Sequence, residues 1–225
     1  MHTTRTAAFA GSALILCGSA PSAIAQIGFV SQSRSVSAST DGPDEMFSSA
    51  GLGLFEGDAL SEFPDGSAFA AASQTSFLSP TEISGVGEGR GEQINAFRSV
   101  AESILEVTFL VDEPLEYTFV GSSGFAEVFL GAATVVLTGP DDFVTGIRPI
   151  FVGPGLDPDV INSIDETGVL QPGEYTLRAV AQRVPEPFGG QVNGRFDFSL
   201  TIVPAPGVVT LLIAGGVVGT RRRRA

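Results

Sequence analysis

Tryptophan and lysine are absent from this sequence, and its single cysteine and single histidine, Cys17 and His2, both lie within the first 25 residues. From Gln26 onward there is therefore no thiol for a disulfide, no imidazole for a Ser-His-Asp triad and no cysteine nucleophile. Zinc would find neither imidazole nor thiolate there, and a lysine Schiff base is excluded. Catalysis would be left to carboxylates, with Tyr117 and Tyr175 as minor candidates. No catalytic residue and no metal ligand is assigned, and the chain is expected not to be an enzyme. Positive charge is also scarce. Of twelve arginines, Arg5 stands near the start and Arg221, Arg222, Arg223 and Arg224 at the end, while all 25 acidic residues lie between. The remaining seven arginines leave residues 26–203 at a net charge of about −18, beyond the −13 of the whole chain. Nucleic acid binding needs a basic footprint and is rejected. Solubility, cation binding, or life in a matrix of polyanions held by calcium all suit such a charge.

Arg5 precedes an apolar stretch from Ala7 to Leu16, followed by Ala23-Ile24-Ala25 before Gln26. A basic start, a short greasy segment and a small-x-small site describe a secretory signal peptide cut by signal peptidase after Ala25, with Gln26 as the new first residue. Cys17 follows Leu16, where a lipoprotein signal wants a small residue, so lipidation is not expected.

The last 23 residues carry the most specific signal. Val203-Pro204-Ala205-Pro206-Gly207 leads into an apolar run of twelve residues, Val208 to Gly219, and then into Arg221 to Arg224 and Ala225. As a helix of about 1.5 Å per residue the run reaches about 18 Å, short of a hydrocarbon core of about 30 Å. Its glycines weaken it further. Such a segment suits transient membrane insertion better than permanent anchoring, with the arginines retained on the cytoplasmic side. This arrangement resembles the PEP-CTERM sorting domain of Gram-negative bacteria, with Ala205 in the position the family usually gives to glutamate. The resemblance implies recognition by an exosortase, cleavage near the motif, and delivery to the cell surface or extracellular matrix. Val184-Pro185-Glu186-Pro187 matches the family motif literally, yet Phe188-Gly189-Gly190-Gln191 follows it with neither an apolar run nor arginines. It reads as a loop.

Between the two ends, period-two alternation dominates. Leu105, Val107, Phe109 and Val111 share one parity, as do Leu115, Tyr117 and Phe119, then Tyr175, Leu177, Ala179 and Ala181, then Phe196, Phe198, Leu200 and Ile202. One wet and one buried face per strand is the mark of antiparallel sheets. Breakers are expected at Asp112-Glu113-Pro114, Gly121-Ser122-Ser123-Gly124, Gly139-Pro140-Asp141-Asp142 and Gly153-Pro154-Gly155. The fold class that follows is all-β, an antiparallel two-sheet sandwich of jelly-roll or Greek-key type, with a short hydrophobic helix in the tail. Residues 1–25 form the signal peptide, 26–202 the sandwich and 203–225 the sorting tail. One stretch departs from the pattern: Ile94, Phe97, Ala101, Ile104 and Leu105 fit helical spacing and predict a short helix, with a strand starting by about Ile104.

Within the body the site signals are weaker. Gly85-Val86-Gly87-Glu88-Gly89-Arg90-Gly91 lacks the Lys-Ser/Thr end of a phosphate loop, and Glu88 would repel phosphate, so it reads as a flexible hairpin or bulge loop. Asp157-Pro158-Asp159, Asp165, Glu166 and the Asp141-Asp142 pair offer hard oxygens to calcium without EF-hand spacing, so no cofactor is assigned beyond a possible calcium ion. In Leu170-Gln171-Pro172-Gly173-Glu174-Tyr175 the Pro-Gly pair turns the chain, and Tyr175 is placed to bond back to the corner, as in the tyrosine corner of Greek-key sandwiches. The leading function is a structural or adhesive one at the cell surface or in an extracellular polysaccharide matrix. The alternatives are a carbohydrate-binding module and a carboxylate-based polysaccharide hydrolase.

Overall fold

The computed structural model describes residues 26–40, 44–93, 99–126, 131–147, 160–183 and 190–203. Every regular element in them is a strand: β1 Gly28–Thr40, β2 Glu45–Ser49, β3 Gly53–Glu62, β4 Ala68–Ser79, β5 Glu82–Gln93, β6 Ser99–Val111, β7 Leu115–Ala126, β8 Gly131–Thr138, β9 Val144–Ile147, β10 Val160–Leu170, β11 Gly173–Arg183 and β12 Gly190–Val203. They form two six-stranded sheets, ordered β2-β1-β6-β11-β8-β9 and β10-β7-β12-β5-β4-β3. The tail helix, the Gly153-Pro154-Gly155 turn and the Val184–Pro187 segment lie outside the described residues.

The pairings explain the order. β5 pairs with β12, β6 with β11, β7 with β10 and β8 with β9, each antiparallel. The last eight strands are thus one nested ribbon, folded so that successive pairs fall on alternate sheets, which is a jelly roll. The first four strands enlarge both sheets on the same side. β1 and β2 extend one sheet beyond β6, and β3 and β4 extend the other beyond β5. The serine-, glycine- and alanine-rich first part therefore continues the same sandwich.

Two cores result. Under the jelly roll, the apolar parities read from sequence point inward: Leu105, Val107, Phe109 and Val111 meet Phe119, Tyr175, Leu177, Phe196, Phe198 and Leu200, all buried. Each such side chain contributes about 1.5–3 kcal/mol by leaving water. Phe119 and Phe198 pack edge to face with centroids 6.3 Å apart. Under the added strands the filling is small and partly polar: Val36, Ala38, Ala59, Ala70, Ala72 and Ala101. Between them Thr40 N–H donates to Ser61 Oγ at 3.1 Å. Gln74, with its amide nitrogen turned toward the opposite sheet, donates to Ile104 O (3.0 Å) and Ser35 O (3.2 Å) and accepts from Ser76 Oγ (3.2 Å). Fully buried Arg34 donates to the carbonyls of Gly53 (2.8 Å) and Gly51 and lies over the Phe55 ring, 5.3 Å from its centroid. It thereby holds the β2–β3 crossover against the sandwich. Burying this cation is costly, so its carbonyl partners matter more than its charge.

Gly85 to Gly91 forms the middle of β5, a central strand, where sequence reading expects a loop. The four glycines at alternate positions all face inward and are buried. A Cβ on Gly87 would stand 2.3 Å from Phe196 and 2.4 Å from Ser103 Oγ. One on Gly89 would stand 2.9 Å from both Ala101 O and Ala181 O, which are backbone atoms of the opposite sheet. The sheets approach so closely here that only glycine fits. Gly121-Ser122-Ser123-Gly124 likewise continues β7 instead of turning, because it pairs with β10 on one side and β12 on the other. The helix expected around Ala101 is also corrected. β6 begins at Ser99, Ala101 and Leu105 are buried on the inner face, and Ile104 lies on the other. Residues 94–98, the rest of that expectation, are outside the described residues. Cross-strand pairing on both sides of β6 decides the matter over a local periodicity of five residues.

The close approach has a direct consequence. Gly89→Ala should lower the unfolding free energy of the 26–203 body by about 1–3 kcal/mol through overpacking. Val86→Ala, on the exposed face of the same strand, should change it by less than about 0.5 kcal/mol. Urea unfolding of the two variants checks the difference.

Candidate functional site

A groove of ≈ 450 Å³ lies on the outer face of β3, β4 and β5, lined by Glu45, Asp58, Leu60, Ala71, Glu88 and Arg90 among others. Register builds it. Asp58 pairs with Ser73, Ser73 with Glu88 and Glu88 with Arg195, so these polar groups form one cross-strand row. Leu60, Ala71 and Arg90 form the next. Glu45 enters from β2 and accepts from the Leu60 N–H at 2.7 Å, which covers part of the free edge of β3. Small side chains make the floor, carboxylates accept at the rim, and Arg90 donates. That combination can hold a hydroxylated chain. Asp58 is exposed on an open sheet face. Sequence reading missed the groove. Its signal was the alternation of Glu88 and Arg90 with the β5 glycines, visible only once that segment is a strand.

Among the described residues the calcium candidates do not come together. Asp157 and Asp159 lie outside the described residues. Asp165 and Glu166 are consecutive in β10 and so face opposite ways, and Glu166 accepts from Thr145 Oγ1 of β9, joining the edges of the two sheets. Asp141 and Asp142 occupy the β8–β9 turn with φ of 53° and 61°, closed by Phe143 N–H donating to Pro140 O at 3.0 Å. Positive φ at both central positions is the hairpin geometry that aspartate tolerates, which accounts for the pair without an ion. Among the described residues no three acidic, His or Cys side chains cluster as a metal site.

Ala23 and Ala25, the residues expected at a signal-peptidase site, are outside the described residues. Gln26 is exposed, and Ile27 next to it is the first buried residue among those described, its N–H donating to Pro80 O at 3.1 Å. Of the expected sorting motif only Val203 is described. It is the last residue of β12, paired with Glu116 of β7. Pro204, Ala205, Pro206, Gly207 and Arg221 to Arg224 lie beyond. Ile202 N–H donates to Thr81 O at 2.9 Å, so both ends of the body are tied to the one turn between β4 and β5.

Tyr175 does what its position predicts: its hydroxyl donates to Gln171 O at 3.0 Å while its ring stacks on Phe109 at 5.7 Å. It is structural, as is Tyr117, which packs edge-on against Phe143.

With this geometry in place, comparison with known proteins adds little. No family model matches the chain, and no curated protein does. Seven chains of solved structures match. Two come from infectious bursal disease virus: the Gx strain structure at 10% identity and a TM-score of 0.25, and the Gt strain structure at 11% and 0.26. Each match covers 82% of this chain and 58% of the viral chain, so this chain spans little more than half the length of those it matches.

Burial pushes both phenols above their ordinary value of 10.0, and at Tyr117 the charge of Glu166 adds to it. The folded protein therefore keeps these protons where the unfolded chain has lost them. Their contribution to stability is whole below about pH 10 and is lost as pH rises through the raised folded values. Unfolding free energy should fall above about pH 10, and Tyr175→Phe should lessen that fall while costing about 1 kcal/mol at neutral pH through the lost hydrogen bond. Denaturant titrations at neutral and alkaline pH test both.

Proposed function

We propose that this protein is exported, cut from its C-terminal tail by an exosortase, and retained at the cell surface or in the extracellular matrix in a structural or adhesive role. The observation that carries this reading is the tripartite tail: Val203 to Gly207, the apolar run to Gly219 and the four arginines. The fold supports it at both ends. The predicted signal-peptidase cut leaves Gln26 just before the first buried residue, and the sorting motif starts where β12 stops. Both cuts would spare the sandwich. The body itself has no His, Cys or Lys for the commoner catalytic devices, which supports a non-enzymatic role. Its partners would be signal peptidase and the exosortase during processing, with transient membrane insertion of residues 208–219, and extracellular polysaccharide afterwards. Its strong negative charge fits cation-bridged association with such polymers and disfavours nucleic acid.

The groove over β3, β4 and β5 favours a second reading, a carbohydrate-binding module, in which Asp58, Glu88 and Arg90 would hold sugar hydroxyls above the Ala71 floor. Retention on a polysaccharide column, lost on Asp58→Ala with folding intact, would support it. A hydrolase remains the weakest reading, for want of an enclosed carboxylate pair.

The intact mass of the protein recovered from its native cell surface and medium tests the main proposal. A species starting at Gln26 and ending between Val203 and Gly207 is expected. A mass that retains the four arginines would overturn sorting and make the chain a membrane-anchored ectodomain.

A further inference from the structure

One end of the sandwich gathers both ends of the body. Gly28 pairs with Leu110, Gly173 with Val111, Glu82 with Thr201 and Val203 with Glu116. The turns at this pole, residues 50–52, 80–81, 112–114, 139–143 and 171–172, are short. Several are fixed by hydrogen bonds: Ile27 and Ile202 to the 80–81 turn, Phe143 to Pro140, and Tyr175 to Gln171.

Only four residues, Pro204 to Gly207, separate Val203 from the apolar run. Fully extended they reach at most about 14 Å. Six strands at about 4.8 Å spacing make each sheet about 24 Å wide between its outer strands, and the two sheets stand about 10 Å apart. An enzyme whose cleft closes on those four residues beside the membrane must therefore meet the turns around Val203. Those turns carry Asp112, Glu113, Asp141 and Asp142, all exposed, and no arginine. We propose that this pole is the surface by which the protein docks on the membrane-embedded enzyme that processes it, and that the rim it meets is basic. This rests on the tail being a sorting signal, and it makes the folded body part of the substrate.

The test follows processing in the native host by intact mass after a pulse of synthesis. The pole variant combines Asp112→Asn, Glu113→Gln, Asp141→Asn and Asp142→Asn. Asparagine keeps the tolerance for positive φ that the β8–β9 turn requires. A control removes four exposed charges elsewhere: Glu56→Gln, Glu62→Gln, Asp165→Asn and Asp197→Asn. The pole variant should lose its tail about tenfold more slowly than the parent, as expected when a charged docking surface is neutralised. The control should keep the parental rate. Inserting a flexible Gly-Ser spacer of about ten residues between Val203 and Pro204 should free the motif from the pole, so that parent and pole variant are then processed alike. A parent that is processed, with a pole variant equally fast and equally stable to heat, would overturn docking and leave sorting intact. A parent that keeps its four arginines would overturn both.

Discussion

The constraint on which this structure depends is the contact between β5 and the strands facing it. β5 is the hinge of the topology: it opens the nested ribbon of the jelly roll and also bears the two strands that widen its sheet. A side chain at Gly89 would run into the backbone of β6 and β11, and one at Gly87 into Phe196 and Ser103. Alternating glycine gives the strand an inner face with no side chains at its centre, so Phe196 and Phe198 from β12 can reach across it. Glycine weakens a strand in isolation, through lost packing and through entropy. Here pairing on both sides offsets that cost.

From this seam the two halves fill differently. On the jelly-roll side the sheets are separated by phenylalanine, tyrosine and leucine, and aromatic pairs fix their stacking. On the other side alanine suffices, and inter-sheet hydrogen bonds from Gln74, Thr40 and Arg34 take over the specificity that large side chains provide elsewhere. Glu56, Asp58 and Glu62 project from the edge strand β3, and its backbone is partly covered by Glu45. Charged edges of this kind discourage edge-to-edge association.

Much of this was legible in the sequence. The parities of β6, β7, β11 and β12 were plain because large apolar residues occupy every second position, and the tyrosine corner followed from a Pro-Gly turn two residues before Tyr175. What escaped was whatever small residues encode. Glycine is a loop signal by local propensity, and only its period of two at positions 85 to 91 hinted at a strand pressed against another sheet. Gly121 to Gly124 misled for the same reason. The expected helix near Ala101 came from five apolar residues at helical spacing, and long-range pairing of β6 overrode that local period. The β3–β5 groove was invisible because its residues are brought together by register, which local pattern does not give.

Backbone amide exchange across Glu82 to Gln93 bears most directly on the role given to β5. If this segment is the central strand between β4 and β12, the amides of its middle should be among the slowest to exchange, opening only with global unfolding. Fast exchange there, beside slow exchange in β6 and β11, would mean that the glycine segment is a loop, and the two-sheet order described for this protein would be wrong.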